Sequence, residues 1–265
     1  MRALSKIYTI LIYVILYAPI AVMILFSFNS INSTGIFAGF SLHWYQELMK
    51  DAATLTALKN TLILAVLSSL ISCVIATAAA VGLSKMQNRM LRSAVETLTD
   101  IPMMNPDIVT GISMMLLFVF VGMRLGLSSS LSFVTVLIAH ITFNLPYVYL
   151  SVMPKIRQMD THLTEAAMDL GCTPFQAFLK VELPAIFPGV LSGLIMAFTL
   201  SLDDFVISYF TTGSGFETLP IRIYSMTKKR VTPDMYALST LIFLAVLILL
   251  ILSNVAQRDG KKKKK

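Results

Sequence analysis

The chain is short of charge. Only 13% of its 265 residues are Asp, Glu, Lys or Arg, about half the share found in a soluble globular domain. Against that, 56% are hydrophobic and mean hydropathy is +0.78. This balance excludes an ordinary water-soluble enzyme and assigns the chain to the membrane class. Cysteine is scarce as well. Cys73 lies in an apolar run and Cys172 in a polar one, too few and too differently placed for a disulfide framework or a metal cluster. His43, His140 and His162 share no metal-ligand spacing, and each is expected to be structural. No G-x-x-x-x-G-K-[ST] loop occurs, since Gly213-Ser214-Gly215 lacks the following lysine, so ATP is not held by such a loop in this chain. A G-x-S-x-G elbow, an HExxH helix and a pair of protease aspartates on separate spans are also missing, which argues against a membrane hydrolase. The net charge is +7, but five of those charges are the lysines of residues 261–265. The remainder gives nucleic acid little to bind, and the run reads as a disordered cytosolic end.

Charge-free stretches locate the helices, because a charge at the bilayer centre costs about 2.5 to 3.5 kcal/mol on insertion scales. Six are expected: residues 7–28, between Lys59 and Lys85, from about Ile101 to Arg124, between Arg124 and Lys155, 187–210 and 235–256. The distribution of Lys and Arg favours cytoplasmic N- and C-termini, with the short basic turn from Lys85 to Arg92 carrying most of the weight. The first segment follows Arg2 and Lys6 and is too long for a cleaved signal sequence, so it is expected to stay as an anchor. The organisation implied is one integral membrane domain over 1–265, with a core of about 57–256, a cytoplasmic loop of about 154–186 and a Lys-rich tail at 257–265. Ser68, Ser69, Ser72, Ala76, Ala80 and Gly82 on the second span, and Gly189 and Gly193 on the fifth, suit close helix packing. Pro102, Pro106 and Pro146 predict broken or kinked helices.

The loop between the fourth and fifth spans has its own order. Asp160 or Thr161 can cap a short helix whose Leu163, Ala166, Ala167 and Leu170 form one apolar stripe, and Gly171 ends it. Thr173 and Pro174 then restart a second helix that runs toward Leu183 and Pro184. Glu165, Ala166, Ala167 and Gly171, followed by Val181, Leu183 and Pro184, resemble the EAA loop of binding-protein-dependent ABC importer permeases, with Val181 in place of the usual isoleucine. Residues 104–117, 140–147 (HITFNLPY) and 197–226 (containing FTLSLDDFV and ETLPIRIYSM) are similar to the spermidine/putrescine permeases of that family. The resemblance implies an all-α type I importer (MetI-like) fold with six transmembrane helices. It also implies a transport subunit without enzymatic activity of its own, paired with a sister permease. A dimeric ATP-binding subunit would dock on the cytoplasmic loop and a polyamine-binding protein on the outer face. Glu165, Ala166, Ala167, Leu163, Leu170, Gly171, Leu183 and Pro184 are then the expected ATPase-coupling residues. No cofactor is expected, ATP being bound by the partner, and no nucleic acid; membrane lipid surrounds the spans.

Carboxylates inside spans are functional candidates by default. Ala197, Ser201, Asp204, Ser208 and Thr212 recur at helical spacing as a small, polar stripe that could line a pathway, with Asp203 turned away beside Thr199 and Ile207. On that basis Asp204 is the expected contact for a cation and Asp203 a bond to a neighbouring helix; the roles swap if the helix unwinds there. Asp107, after Pro106, reads equally as an ion-holding group at a broken helix or as a helix cap. Trp44 and Tyr45 could stack on an ammonium group or anchor the membrane interface. Lys228, Lys229 and Arg230 would repel a polycation and fit a solvated loop or a docking surface. A permease of the same fold for another small cationic solute remains the rival. A secondary transporter would need no docking loop.

Overall fold

The computed structural model describes the backbone of residues 2–33, 35–127, 129–160, 162–229 and 232–262, with side chains throughout except at 2–5, 229 and 249–262. Thr161, Arg230 and residues 263–265 lie outside the described residues, as do all side chains of the tail 257–265. The described chain is helical, apart from its turns and one isolated bridge between Asn29 and Phe40. Two compact units divide it: residues 1–56 with 222–255, and residues 57–221 with 256–265.

The first unit contains α1 (Arg2–Ser27), α2 (His43–Leu48), the start of α3 (Ala52–Ser84), most of α11 (Leu219–Lys229) and most of α12 (Pro233–Lys262). Residues 6–19 of α1 are exposed on every side, which in water would be untenable and in lipid costs nothing. The loop after α1 is organised by the buried Asn29. Its amide donates to the carbonyls of Ser33 and Ile36, both at 2.8 Å, and its Oδ1 accepts from the Ala38 N–H at 2.9 Å.

The second unit holds the rest of α3 and α4 (Arg89–Met104), α5 (Asp107–Arg124), α6 (Phe133–Gln158), α7 (His162–Asp169), α8 (Pro174–Ala177), α9 (Leu183–Asp203) and α10 (Val206–Thr211), with one π-helical turn at Phe178–Glu182. Its core is built from Cys73, Ala76, Ala80 and Leu83 of α3, Val148, Tyr149, Val152 and Met153 of α6, and Ile186 and Ala197 of α9. Helices α6 and α9 approach closely because α9 presents glycine. A Cβ on Gly189 would lie 2.8 Å from the Ser151 carbonyl, and one on Gly193 would lie 3.2 Å from the Val148 Cα. The paired glycines are therefore a packing device, as their spacing predicts.

Five helices are long and apolar enough to cross a membrane: Lys6–Ser27, Ala52–Ser84, Asp107–Arg124, Phe133–Gln158 and Pro174–Asp203; α12 adds the apolar stretch Pro233–Ile248. They follow the order of the six charge-free stretches, with two corrected boundaries. The third span begins at Asp107 rather than near Ile101, because α4 is a separate helix that ends at Met104 before the extended Asn105 and Pro106. Asn88 caps α4, accepting from the N–H groups of Met90 and Leu91. The helix is amphipathic: Arg92, Val95, Glu96 and Thr99 are partly buried, whereas Met90, Leu91 and Leu98 are exposed.

The fifth span needs the larger correction. The second helix of the cytoplasmic loop does not stop near Pro184 but runs on into the span. Pro184 lacks an N–H and would break a regular α-turn. Here the chain widens just before it, the Leu183 N–H bonding to the carbonyl of Phe178, five residues back, and the helix continues through the proline. At the other end the span stops at Asp203 instead of 210.

Candidate functional site

The end of α9 is where the intramembrane carboxylates lie. Asp204 leaves the helix in an extended conformation, φ −63° and ψ 122°, and α10 begins two residues later. The break is made by the Asp204 side chain, whose carboxylate accepts from the Ser208 N–H at 2.8 Å and the Ile207 N–H at 3.3 Å. A short acidic side chain that captures N–H groups three and four residues on offers the backbone an alternative to continuous helix. His140 of α6 closes the arrangement. Its Nε2 shares a hydrogen bond with Ser208 Oγ at 2.9 Å and lies 3.4 Å from Asp204 Oδ2, with only 1% and 8% of the two side chains exposed. One turn back, Ser201 Oγ shares a 2.9 Å bond with Ser68 of α3 and accepts from the Asn144 amide of α6 at 2.8 Å.

The expected polar stripe is therefore not an open lining. Ala197, Ser201 and Ser208 are buried, Asp204 nearly so, and Thr212 donates to the Phe216 carbonyl at 2.6 Å. Helical spacing projects them onto one face only if the helix is continuous, and it unwinds between Asp203 and Val206. The two aspartates are exchanged relative to that projection: Asp204 is consumed in holding the break, and Asp203 is exposed at the last residue of α9. There the negative end of the helix dipole adds negative potential to the carboxylate.

Asp107 is exposed and occupies the first turn of α5, directly after the Asn105–Pro106 break. A carboxylate there is favoured by the helix dipole. Trp44 and Tyr45 are committed elsewhere in their own unit. The indole N–H donates to the Asn29 carbonyl at 2.7 Å, and the Tyr45 hydroxyl shares a 2.7 Å bond with Ser27 Oγ while its ring packs 5.2 Å from that of Phe28. They clamp the loop that Asn29 organises. Nearby, Asp51 accepts from the Thr54 hydroxyl, the Ala53 N–H and Arg222, and these bonds, Thr54 foremost, hold its carboxyl below the usual range. Lys228 sits over the Tyr224 ring at 4.7 Å. Among the described residues no group of three His, Cys, Asp or Glu side chains could hold a metal ion.

The second site is the loop at the other end of α6 and α9. Asp160 caps α7 by accepting from the His162 N–H at 3.0 Å. Gly171 turns the chain at φ +89°, a left-handed conformation that favours glycine. Thr173 and Gln176 then form a reciprocal capping box at the start of α8. The helix pair presents Leu163, Ala166, Leu170 and Phe175 outward, and Leu179 of the π-turn continues the exposed surface, with Leu170 87% and Phe175 69% exposed. Such side chains projecting from a polar surface mark a protein-binding face. Glu165 stands among them, 3.2 Å from His162 and well exposed. Leu183 is partly buried and Pro184 exposed at the root of the loop.

Behind α7 lies a cavity of about 470 Å³ walled by Ser84, Lys85, Arg157, Glu165, Met168 and Glu182 among others. Two ion-paired carboxylates adjoin it, neither flagged by sequence patterning. Glu182, on the π-turn, is 4% exposed and 2.8 Å from Lys85 Nζ. Glu96 accepts from Arg92 and Arg157, each at 3.1 Å. The Arg92 bond foremost, with Arg157, holds the Glu96 carboxyl below its usual range against the opposing effect of burial.

Comparison with known proteins agrees with this architecture. The chain is 38% identical over 251 residues to the spermidine/putrescine transport system permease protein PotC of Escherichia coli K12, covering 95% of this chain and 92% of PotC. It is 37% identical over 234 residues to the putrescine transport system permease protein PotI of the same organism, covering 88% of this chain and 83% of PotI. Its fold matches a crystal structure of a bacterial ABC transporter involved in the import of the acidic polysaccharide alginate, with a TM-score of 0.75 at 17% identity over 97% of this chain and 94% of the other. Residues 69–258 match the model of the binding-protein-dependent transport system inner membrane components. The chain belongs to that family, as a multi-pass permease component of an ABC importer.

Proposed function

We propose that this chain is the permease subunit of an ATP-driven polyamine importer, forming half of the translocation pathway and driven by a separate ATPase. The observation that carries the coupling part is the α7–α8 pair. It holds an exposed Leu163, Leu170 and Phe175 surface out from the ends of two spans in a chain without a phosphate-binding loop of its own. A dimeric ATP-binding subunit docks there through these residues with Glu165, Ala166 and Ala167. Gly171 sets the angle between the two helices, and Leu183 and Pro184 carry the movement into α9. ATP stays with that subunit, and this chain needs no cofactor. A sister permease completes the pathway, and a polyamine-binding protein delivers cargo from outside, in keeping with the family's dependence on binding proteins. Both termini face the cytoplasm, which puts the α7–α8 pair on the side where ATP is made.

The fold does not choose the cargo, since a structural neighbour of this chain serves an acidic polysaccharide. Polyamine is supported by the sequence relatives, whose cargoes are spermidine and putrescine, and by the carboxylate at the end of α9. Asp203, exposed at the negative C-terminal end of α9, is the pathway contact for an ammonium group. Asp204, with Ser201 and Ser208, holds the break that presents it. Asp107 is a second acidic contact at a helix break. Trp44 and Tyr45 serve the outer loop instead of cargo. Reconstitution of the complete complex in proteoliposomes with labelled spermidine and putrescine tests the proposal: ATP-dependent uptake supports it. Uptake that needs no ATPase, or preference for another cation, refutes it.

A further inference from the structure

The ion pair between Lys85 and Glu182 has no place in the coupling surface or the pathway described so far. Glu182 sits on the π-turn between α8 and α9, its side chain 4% exposed, and Lys85 follows the last residue of α3, its side chain 57% exposed, with the ammonium reaching in to 2.8 Å. A buried carboxylate holds its partner tightly, because separating the two leaves an uncompensated charge. The π-turn is also where α9 deviates from regular helix, and such turns concentrate at functional positions. Helix α7 packs on α8 and on this turn, while the cavity of about 470 Å³ separates Thr164, Glu165 and Met168 from Val81, Ser84 and Lys85. So α7 has room to shift relative to α3, and Lys85–Glu182 is a polar bond that ties the π-turn on which α7 packs to the end of α3. The other charges at the cavity are differently engaged: Arg92 and Arg157 with Glu96, and Glu165 with His162.

We infer that Lys85 and Glu182 are positioning residues that carry displacement of the α7–α8 pair into α3, and so set how much cargo moves per ATP hydrolysed. The inference rests on the coupling role proposed above.

The test uses the full complex in proteoliposomes, with spermidine as probe, and measures uptake per ATP hydrolysed together with co-purification of the ATPase. Glu182→Gln and Lys85→Met should each lower the ratio about tenfold, within the range of ordinary coupling effects, while the ATPase stays bound. Lys85→Arg, which keeps the charge, should retain the ratio. A wild-type ratio in Lys85→Met and Glu182→Gln overturns the inference. Loss of ATPase binding in both overturns it too, because it would make the pair a part of assembly. If Glu182→Gln alone fails to assemble, Lys85→Met decides, its side chain being the more exposed. The underlying coupling role is judged separately by Leu163→Asp. Retention of the ATPase by that variant strikes the coupling reading, whereas its release alongside a normal ratio in Lys85→Met strikes only the pair.

Discussion

Asparagine at positions 203 and 204 should have opposite consequences, which makes the pair the sharpest probe of the pathway. The Asp204 carboxylate accepts two backbone N–H groups, at 2.8 and 3.3 Å, beside His140. Hydrogen bonds to a charged group are worth about 1.5 to 3 kcal/mol each, and an amide oxygen keeps roughly half of that. Asp204→Asn should therefore cost about 2 kcal/mol and lower the unfolding temperature of the purified complex by about 4 to 8 °C, at about 2 to 4 °C per kcal/mol. Asp203 is exposed, and its replacement should change stability by less than about 0.5 kcal/mol. Its effect belongs to transport. A carboxylate and an ammonium at 4 Å attract by about 4 kcal/mol near a protein surface and about 1 in bulk water. A wet pathway lies nearer the second value, so Asp203→Asn should reduce uptake at subsaturating spermidine about tenfold, the equivalent of about 1.4 kcal/mol. Proteoliposome uptake and thermal unfolding, measured on both variants, give the answer. If Asp204→Asn loses uptake at an unchanged unfolding temperature while Asp203→Asn transports normally, Asp204 and not Asp203 is the pathway contact, as helical spacing alone projects.

Three further outcomes are expected. Leu163→Asp combined with Glu165→Arg should weaken ATPase association by about thirtyfold or more, the effect of losing a contact worth about 2 kcal/mol at an interface centre, as read by co-purification and surface binding. Gly193→Leu should cost about 1 to 3 kcal/mol, because even a Cβ would meet the Val148 Cα at 3.2 Å; Gly82→Ala, with nothing within 4 Å, is the silent control, and the recovery of intact complex separates the two. Glu96, held low by Arg92 and Arg157, contributes stability that is present above the ordinary glutamate value of about 4.3 and lost as pH falls through its depressed folded value. Glu96→Gln should flatten the acid side of the unfolding-temperature profile below about pH 5, and an unaltered profile would remove Glu96 from that role.

How much of this was legible in the sequence depends on the range of the interaction. Spans and the α7–α8 pair are local: charge-free length, Thr173 before Pro174 and Gly171 after an apolar stripe encode themselves within a few residues. The glycines at 189 and 193 were readable as packing, although their partner α6 was not. The break at Asp204 was invisible as a break, because no glycine or proline marks it and the feature responsible is a side-chain bond to residues 207 and 208. Extrapolating a continuous helix across it exchanged the exposed and buried aspartates. The π-turn escaped for a related reason: Pro184 signals a helix end, and only the widened turn before it lets the helix continue. Asn29, Glu96 and the Lys85–Glu182 pair lie beyond such reasoning. Lys85 and Glu182 are 97 residues apart, and charge patterning along one chain does not say which distant charges meet.

In the proposed mechanism, α7–α8 converts hydrolysis in a partner into cation movement past the end of α9. Spermidine uptake by the reconstituted complex, measured together with ATP hydrolysis in wild type and in the Leu163→Asp, Glu165→Arg variant, tests it most directly. Uptake in the wild type that requires ATP, and loss of both uptake and bound ATPase in the variant, is the predicted result. Unimpaired ATP-driven uptake by the variant would contradict it.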